Sequence, residues 1–247
     1  VHIFTARMSP LLKNKIKKLL SALGVNITQN QRYDAQSLKI MQLVLRKDSN
    51  CIDIGAHKGE VLDEMISIAP QGTHYAFEPI PSFFKDLEQR YKGKAIIHNL
   101  ALSDKEGTTS FQHVVSNPAY SGMKQRAYQQ DETIEEIKVN MARLDDLIDN
   151  NTPIDLIKID VEGAEMQVLL GAEELIKKNR PIIIFEHGKG ASEFYGTTPS
   201  ALHRFLKQCG LDISLMKVFL ADGESLSETE FIQQYESGEN YYFVAHP

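Results

Sequence analysis

Four short apolar runs in this chain each end on or beside an acid: Asp53 in CIDIG, Glu78 in YAFEP, Asp160 in LIKIDVEG, and Glu186 with His187 in IIIFEHG. A carboxylate accepts hydrogen bonds from hydroxyl and ammonium donors, and an imidazole or a carboxylate can take up a proton. In an open parallel sheet the ligand crevice lies beyond the carboxyl ends of the strands, so acids at those ends are the groups to inspect. The first of them leads into CIDIGAHKGE, in which Gly55, Ala56, His57 and Gly59 form a two-glycine turn between an apolar run and a helical pattern. Glycine permits dihedrals and close approaches that a Cβ would block. The spacing is D-x-G-x-x-x-G, not the three-glycine fingerprint that seats a pyrophosphate on a helix N-terminus. Asp53 argues the same way, because a carboxylate there repels a pyrophosphate and accepts from ammonium or hydroxyl donors. S-adenosylmethionine carries both kinds of donor. The same pattern also occurs as an ordinary strand-to-helix turn, so the rest of the chain has to decide.

Glu78 follows the first glycine by about twenty residues, the spacing from which a carboxylate chelates ribose hydroxyls. Its bland alternative is an acid ahead of Pro79 and Pro81 that stabilises the next helix dipole. NLALSD, Asn99 to Asp104, places Ala101 and Leu102 where their backbone groups could contact an adenine ring. On the acceptor side two arrangements compete. His187 acts as general base with Glu186 or Asp160 orienting its ring, or Asp160, Glu186 and His187 hold a Mg²⁺ ion that anchors acceptor oxygens. A third reading leaves His187 as a loop residue capping its strand. Glu162 and Glu165 follow Asp160, with Gly163 serving a tight turn.

The elements that must position these groups alternate. Helix Ala35 to Arg46 leads into strands Asn50 to Ile54, Thr73 to Phe77, Ala95 to Leu100, Ile154 to Ile159 and Pro181 to Phe185. The intervening helices are Glu60 to Ile68, Ser82 to Tyr91 and Ala164 to Lys178, and helix Pro199 to Cys209 follows the last of these strands. Strand and helix in alternation predict a parallel sheet covered on both faces. Thr108 to Val115 and Lys138 to Leu144 read as extra extended runs. Ser116 to Ile134 is irregular and polar, the character of a binding loop, with Tyr120, Ser121, Met123 and Lys124 as candidate acceptor-side residues. Ile213 to Phe219 and Tyr241 to Ala245 predict a terminal hairpin, hence an antiparallel strand near one edge.

Upstream, Pro10 to Leu23 sets leucines and Ile16 on one helical stripe with lysines opposite. The segment is read as a helix lying on the main domain, and the N-terminal helices offer a surface for a homo-oligomer. Residues 1–48 are expected to form a helical extension, 1–7 being fragment or vector-derived residues, and 49–247 the main domain. The net charge of −6 argues against a nucleic-acid partner, which needs clustered Lys and Arg. Cys51 and Cys209 fit no metal spacing, and no apolar run approaches the roughly 20 residues that span a bilayer, so a cytoplasmic protein with reduced thiols is expected.

DIGAHKGE, FEP, NLALSD and, most specifically, DLIKIDVEGAEMQVLLGA with RPIIIFEH resemble the FkbM-type branch of the class I S-adenosylmethionine-dependent methyltransferases. The resemblance runs from about Asn50 to Phe185 and beyond. It implies a Rossmann-like three-layer α/β fold, a seven-stranded and mostly parallel sheet with one antiparallel strand near an edge. It also implies methyl transfer to a hydroxyl of a sugar, glycan or secondary metabolite. The N-terminal helices and the Ser116 to Ile134 loop lie outside the motifs that carry it. Three rivals remain at this level: a nucleic-acid methyltransferase, a module that binds the cofactor without catalysis, and an NAD-dependent oxidoreductase lacking its usual fingerprint.

Overall fold

The computed structural model describes residues 28–124, 132–149 and 151–247. The lysine-rich segment Pro10 to Leu23 lies outside the described residues, as does part of the Ser116 to Ile134 loop.

Helix α1 (Gln29–Val44) opens the described chain. Its start is fixed by Thr28, whose side chain accepts from Gln31 N while the Gln31 side chain accepts from Thr28 N, a reciprocal cap that satisfies two otherwise orphan donors. Strands β1 (Cys51–Ile54), β2 (His74–Phe77) and β3 (Ile96–His98) alternate with helices α2 (Glu60–Ile68) and α3 (Pro81–Arg90). Next come β4 (Ala101–Leu102), β5 (Gly107–Val114), β6 (Ile134–Ala142) and β7 (Leu156–Ile159). Helices α4 (Glu165–Leu170) and α5 (Glu173–Asn179) precede β8 (Ile182–Glu186), and α6 (Pro199–Gln208) precedes β9 (Asp212–Leu215). The short α7 (Met216–Phe219), α8 (Glu228–Ser237) and β10 (Tyr242–His246) close the fold.

Seven strands form one sheet in the order β3-β2-β1-β7-β8-β10-β9. All its neighbours pair in parallel except β10, which is antiparallel to both β8 and β9. This is the arrangement that the resemblance implies, with the reversed strand second from the edge. The central strands β1 and β7 are buried on both faces, and each is apolar but for one charged residue, Asp53 in β1 and Lys158 in β7. One face carries Ile52, Ile54, Ile157, Ile159, Phe185 and Phe243 against α4, α5 and α6. The other carries Cys51, Leu156, Ile184 and Val244 against Tyr33, Ile40 and Met41 of α1 and Met65 of α2. Cys51 and Cys209 are free and buried, packed as small apolar groups.

Four local expectations are revised. The run Ala95 to Leu100 is shorter, and Ala101 and Leu102 leave it for a second sheet of order β4-β6-β5. Thr108 to Val115 and Lys138 to Leu144 are the long antiparallel ribbon of that sheet, with β6 starting earlier, at Ile134. Helix Ala164 to Lys178 is two helices that meet at Gly171 and Ala172, where a Cβ on Gly171 would overlap the Ser103 carbonyl oxygen. The break lets Asp145 cap α5 from outside, accepting from Glu174 N and Leu175 N at 3.2 and 3.0 Å. Finally, Ile213 to Phe219 is strand only as far as Leu215 and then turns into α7. Among the described residues no helix is long and apolar enough to cross a membrane.

Candidate active site

The strand order reverses between β1 and β7, and a cleft of about 440 Å³ opens beyond their carboxyl ends. That volume falls in the range of about 300–1,000 Å³ typical of small-molecule sites. Gly55 forms part of the floor, with φ at +80°, and a Cβ there would overlap the Asp160 carbonyl oxygen. Gly59, also left-handed, is pressed by Leu87, Arg90 and Tyr91. The glycines of the turn are therefore demanded first by protein packing, and the shape of the floor follows from it. Gly55 N and Ala56 N both donate to Phe77 O, tying the turn to β2. Ala56 is buried against Leu62, Leu87 and Tyr91 and does not line the cleft. His57 does line it, in a left-handed conformation with φ +48°, its ring edge-on to Phe83 at 4.6 Å. The buried His57 Nε2 has no hydrogen-bond partner among the described residues, and burial holds the ring below the ordinary histidine range.

Glu78 is 3% exposed and lines the cleft. Its Oε2 accepts from His57 N and its Oε1 from Ile80 N, each at 2.8 Å. Burial pushes it up to about 7 against the lowering effect of these two bonds. Both sequence roles are thus compatible in one side chain, since each oxygen keeps a second lone pair for a hydroxyl. Ala101 and Leu102 also line the cleft, but β4 pairs with β6 and commits part of their backbone.

Across the cleft lie Asp160, Glu162 and Glu186, each able to bring one carboxylate oxygen within 4.8 Å of the others. Asp160 Oδ2 accepts from Lys158 Nζ at 3.1 Å and from Tyr242 OH at 2.5 Å. Burial opposes its charge, but the Lys158 ammonium and bonds from Tyr242, Lys158 and Glu186 outweigh that and hold Asp160 below the usual carboxylate range. Glu162 sits at φ +56°, beside Gly163. A Cβ on Gly163 would overlap the Ala191 backbone, so this turn is locked against the loop after β8. Glu165 is buried, with Oε1 accepting from Gly163 N at 3.1 Å, and burial pushes it up to about 7. It braces the turn and does not face the cleft.

Asp53 and His187 are placed differently from the other strand-end residues. Asp53 lies within β1, not beyond it, 2% exposed and under the turn, with Oδ2 unpartnered among the described residues. Burial pushes it up to about 7, with Lys158 lowering and Asp160 raising it. His187 is absent from the cleft wall. Its ring stacks on Tyr235 at 4.9 Å and Phe231 at 5.7 Å, neither nitrogen has a partner among the described residues, and burial pushes it down to about 4. The acidic trio therefore contains Glu162 where the sequence suggested His187.

Tyr120, Ser121 and Met123 of the irregular loop line the cleft, and Lys124 N donates to Tyr195 OH at 3.0 Å. Sequence reasoning missed one side of the wall, which includes Asn30, Tyr33 and Asp34 from α1 and Tyr241 and Tyr242 from the β10 end. The Tyr33 ring meets those of Tyr241 and Tyr242 at 4.9 and 5.1 Å, a contact across more than two hundred residues that leaves no local signal. Lys158 was also missed, although a lysine inside the fully buried run LIKI is itself a signal.

The Methyltransferase FkbM domain family matches residues 53–213, well over half of the chain. The AMB antimetabolite synthetase AmbE of Pseudomonas aeruginosa is 28% identical over 219 residues, 73% of this chain and 10% of that protein. Methyltransferase 1 of Beauveria bassiana is 27% identical over 152 residues, 51% of this chain and 59% of that protein. The chain thus spans a tenth of one curated relative and under two thirds of the other. Among solved structures, a methyltransferase FkbM from Methylobacillus flagellatus superposes with a TM-score of 0.41 at 19% identity, covering 57% of this chain and 33% of that one.

Proposed function

Since the chain belongs to the FkbM methyltransferase family, we propose that it is an S-adenosylmethionine-dependent O-methyltransferase acting on a hydroxyl of a sugar, glycan or secondary metabolite. One observation carries the reading. A single cleft at the β1/β7 switch point is bounded by Gly55, His57 and Glu78 on one side and by Asp160, Glu162 and Glu186 on the other. This arrangement supports a reading in which the first group holds the nucleoside and the second faces the acceptor.

The residues present fit the cofactor. Glu78 has open lone pairs for ribose hydroxyls, His57 offers an unpartnered Nε2, and Asp160 presents an ionised carboxylate to a cationic ligand. Ala101 and Leu102 supply an apolar wall for adenine. When bound, the cofactor supplies an electrophilic methyl group on a sulfonium centre. The protein must then hold a hydroxyl oxygen in line and receive its proton. Asp160, held below the usual range, is a weak base and is assigned to orientation. Glu162 is assigned to the proton, because Glu186 already lends its own proton to Asp160. His187, stacked among aromatic rings, has no part in this reading. The acids facing the cleft disfavour a polyphosphate acceptor.

A second reading, a divalent cation bound by Asp160, Glu162 and Glu186, is favoured by their mutual spacing. Lys158 at 3.1 Å from Asp160 opposes it by already neutralising one of the three.

Incubation with methyl-labelled S-adenosylmethionine and a cell extract fractionated into glycans, small metabolites, lipids and nucleic acids, with and without EDTA, tests both. Label in hydroxyl-bearing small molecules or glycans is expected, and EDTA should leave it intact. Label confined to nucleic acid, or none in any fraction, defeats the proposal, and loss of label with EDTA selects the cation.

A further inference from the structure

The alternation of side chains in a strand, combined with the sheet register, sets a row of polar groups on one face. Asp53 on β1 is in register with Lys158 on β7, and Tyr242 on β10 is in register with Glu186 on β8. Asp53, Lys158, Glu186 and Tyr242 share the parity of Cys51, Leu156, Ile184 and Val244, so they lie on the sheet face that α1 covers. Asp160, two residues beyond Lys158, continues the row into the cleft. A lysine on such a face, only 4% exposed, is rare without a partner that holds it. Here the ammonium donates to Asp160 Oδ2 at 3.1 Å and stands 4.7 Å from the centre of the Tyr242 ring. The Tyr242 hydroxyl donates to the same Asp160 oxygen at 2.5 Å. Two donors from two strands thus converge on one carboxylate oxygen. Because β10 runs opposite to β7 and β8, its first residue meets their carboxyl ends, and this brings Tyr242 to the cleft.

We propose that Lys158 and Tyr242 are positioning residues that fix Asp160, clamping Oδ2 so that Oδ1 faces the ligand and keeping its negative charge in the cleft. Neither is a base: the lysine is spent on Asp160, and Tyr242 is a donor to it. The inference rests on the proposed reading of the cleft, in which Asp160 faces a cationic cofactor. A clamp of this kind acts on charged ligands selectively. S-adenosylmethionine carries a sulfonium charge that S-adenosylhomocysteine lacks, so loss of the clamp should lower the affinity ratio between the two. A merely structural defect would weaken both equally.

The experiment is calorimetric binding of both ligands to the full chain and to the Tyr242→Phe, Lys158→Met, Asp160→Asn and Tyr242→Phe/Asp160→Asn variants, with thermal unfolding alongside. Tyr242→Phe removes one oxygen and keeps the ring against Tyr33, so it remains informative even where Lys158→Met fails to fold. The expected result is that Tyr242→Phe weakens S-adenosylmethionine about tenfold and S-adenosylhomocysteine far less. Adding it to Asp160→Asn should cost nothing further, the non-additivity of residues acting as one unit. Strong loss in Asp160→Asn with wild-type binding in Tyr242→Phe, or additive losses in the double variant, overturns the clamp and leaves the reading of Asp160 standing. Wild-type binding in Asp160→Asn overturns both.

Discussion

At the scale of single residues, the site depends on groups held in unusual states for stated reasons. Gly55 combines a φ of +80° with a β1/β7 approach so close that a Cβ would overlap the Asp160 carbonyl oxygen. Gly55→Ala is therefore expected to cost on the order of 4 kcal/mol, through strain and through separation of the strands that flank the cleft. Chemical denaturation of the purified variant measures this, and a loss below about 1 kcal/mol would refute the packing argument. Glu165 offers a prediction in pH. Its carboxyl is pushed from 4.5 up to about 7 by burial, so the folded chain takes up a proton that the unfolded chain has released in that window. The unfolded state then binds fewer protons, and this group's contribution to stability is full below about 4.5 and is lost as pH rises through about 7. Glu165→Gln keeps an oxygen for Gly163 N and removes the titration. The stability of the variant relative to wild type should accordingly rise between pH 5 and pH 8, by on the order of 3 kcal/mol. Denaturation curves at the two pH values read this directly, and a constant difference would show that Glu165 does not titrate in that range.

At the scale of elements, what the sequence showed depended on how local the cause was. β1, β7 and β8 were legible because strands buried on both faces are short, largely apolar runs between turn signals, and the single charges inside β1 and β7, Asp53 and Lys158, do not hide them. The strand-end acids followed from the same runs, and three of them, Glu78, Asp160 and Glu186, line the cleft. The second sheet was not legible, since Ala101 and Leu102 leave β3 only because Met141 and Ala142, forty residues on, pair with them. The break at Gly171 was hidden for a related reason: a helix-compatible glycine is forced by the distant Ser103 carbonyl, not by its neighbours. The same break creates an external cap that can be tested. Asp145, its side chain only 8% exposed, accepts from Glu174 N and Leu175 N and replaces an N-cap that Ala172 cannot supply. Asp145→Ala should destabilise the fold by about 1–2 kcal/mol. Asp145→Asn, which keeps one acceptor oxygen, should recover part of that loss. Equal denaturation midpoints for the alanine variant and the wild type would mean that α5 does not depend on this cap.

At the scale of the whole molecule, the sheet sets charge as well as position. Every Asp or Glu in the cleft wall, Asp34, Glu60, Glu78, Asp160, Glu162 and Glu186, adds to a negative field, and among the described residues no lysine or arginine lines it. Lys158 is beneath Asp160 and is consumed there. With a net charge of −6 for the chain, this arrangement attracts cations and repels phosphodiesters. Nucleic-acid binding is dominated by phosphate contacts with clustered Lys and Arg, and the densest such run in the sequence is in the Pro10 to Leu23 segment, outside the described residues. Labelled single-stranded RNA, followed by fluorescence anisotropy at about 0.15 M salt, a concentration that screens charges over about 8 Å, should therefore show no saturable binding to the full chain. A truncated chain beginning at Thr28 should behave identically, because the lysine stripe is too short to offset the field of the rest. Binding by the full chain that vanishes on truncation would assign nucleic-acid affinity to the N-terminal segment alone. Binding that survives truncation, with a steep dependence on salt, would place phosphates against the acidic cleft and defeat the hydroxyl-acceptor reading at its root.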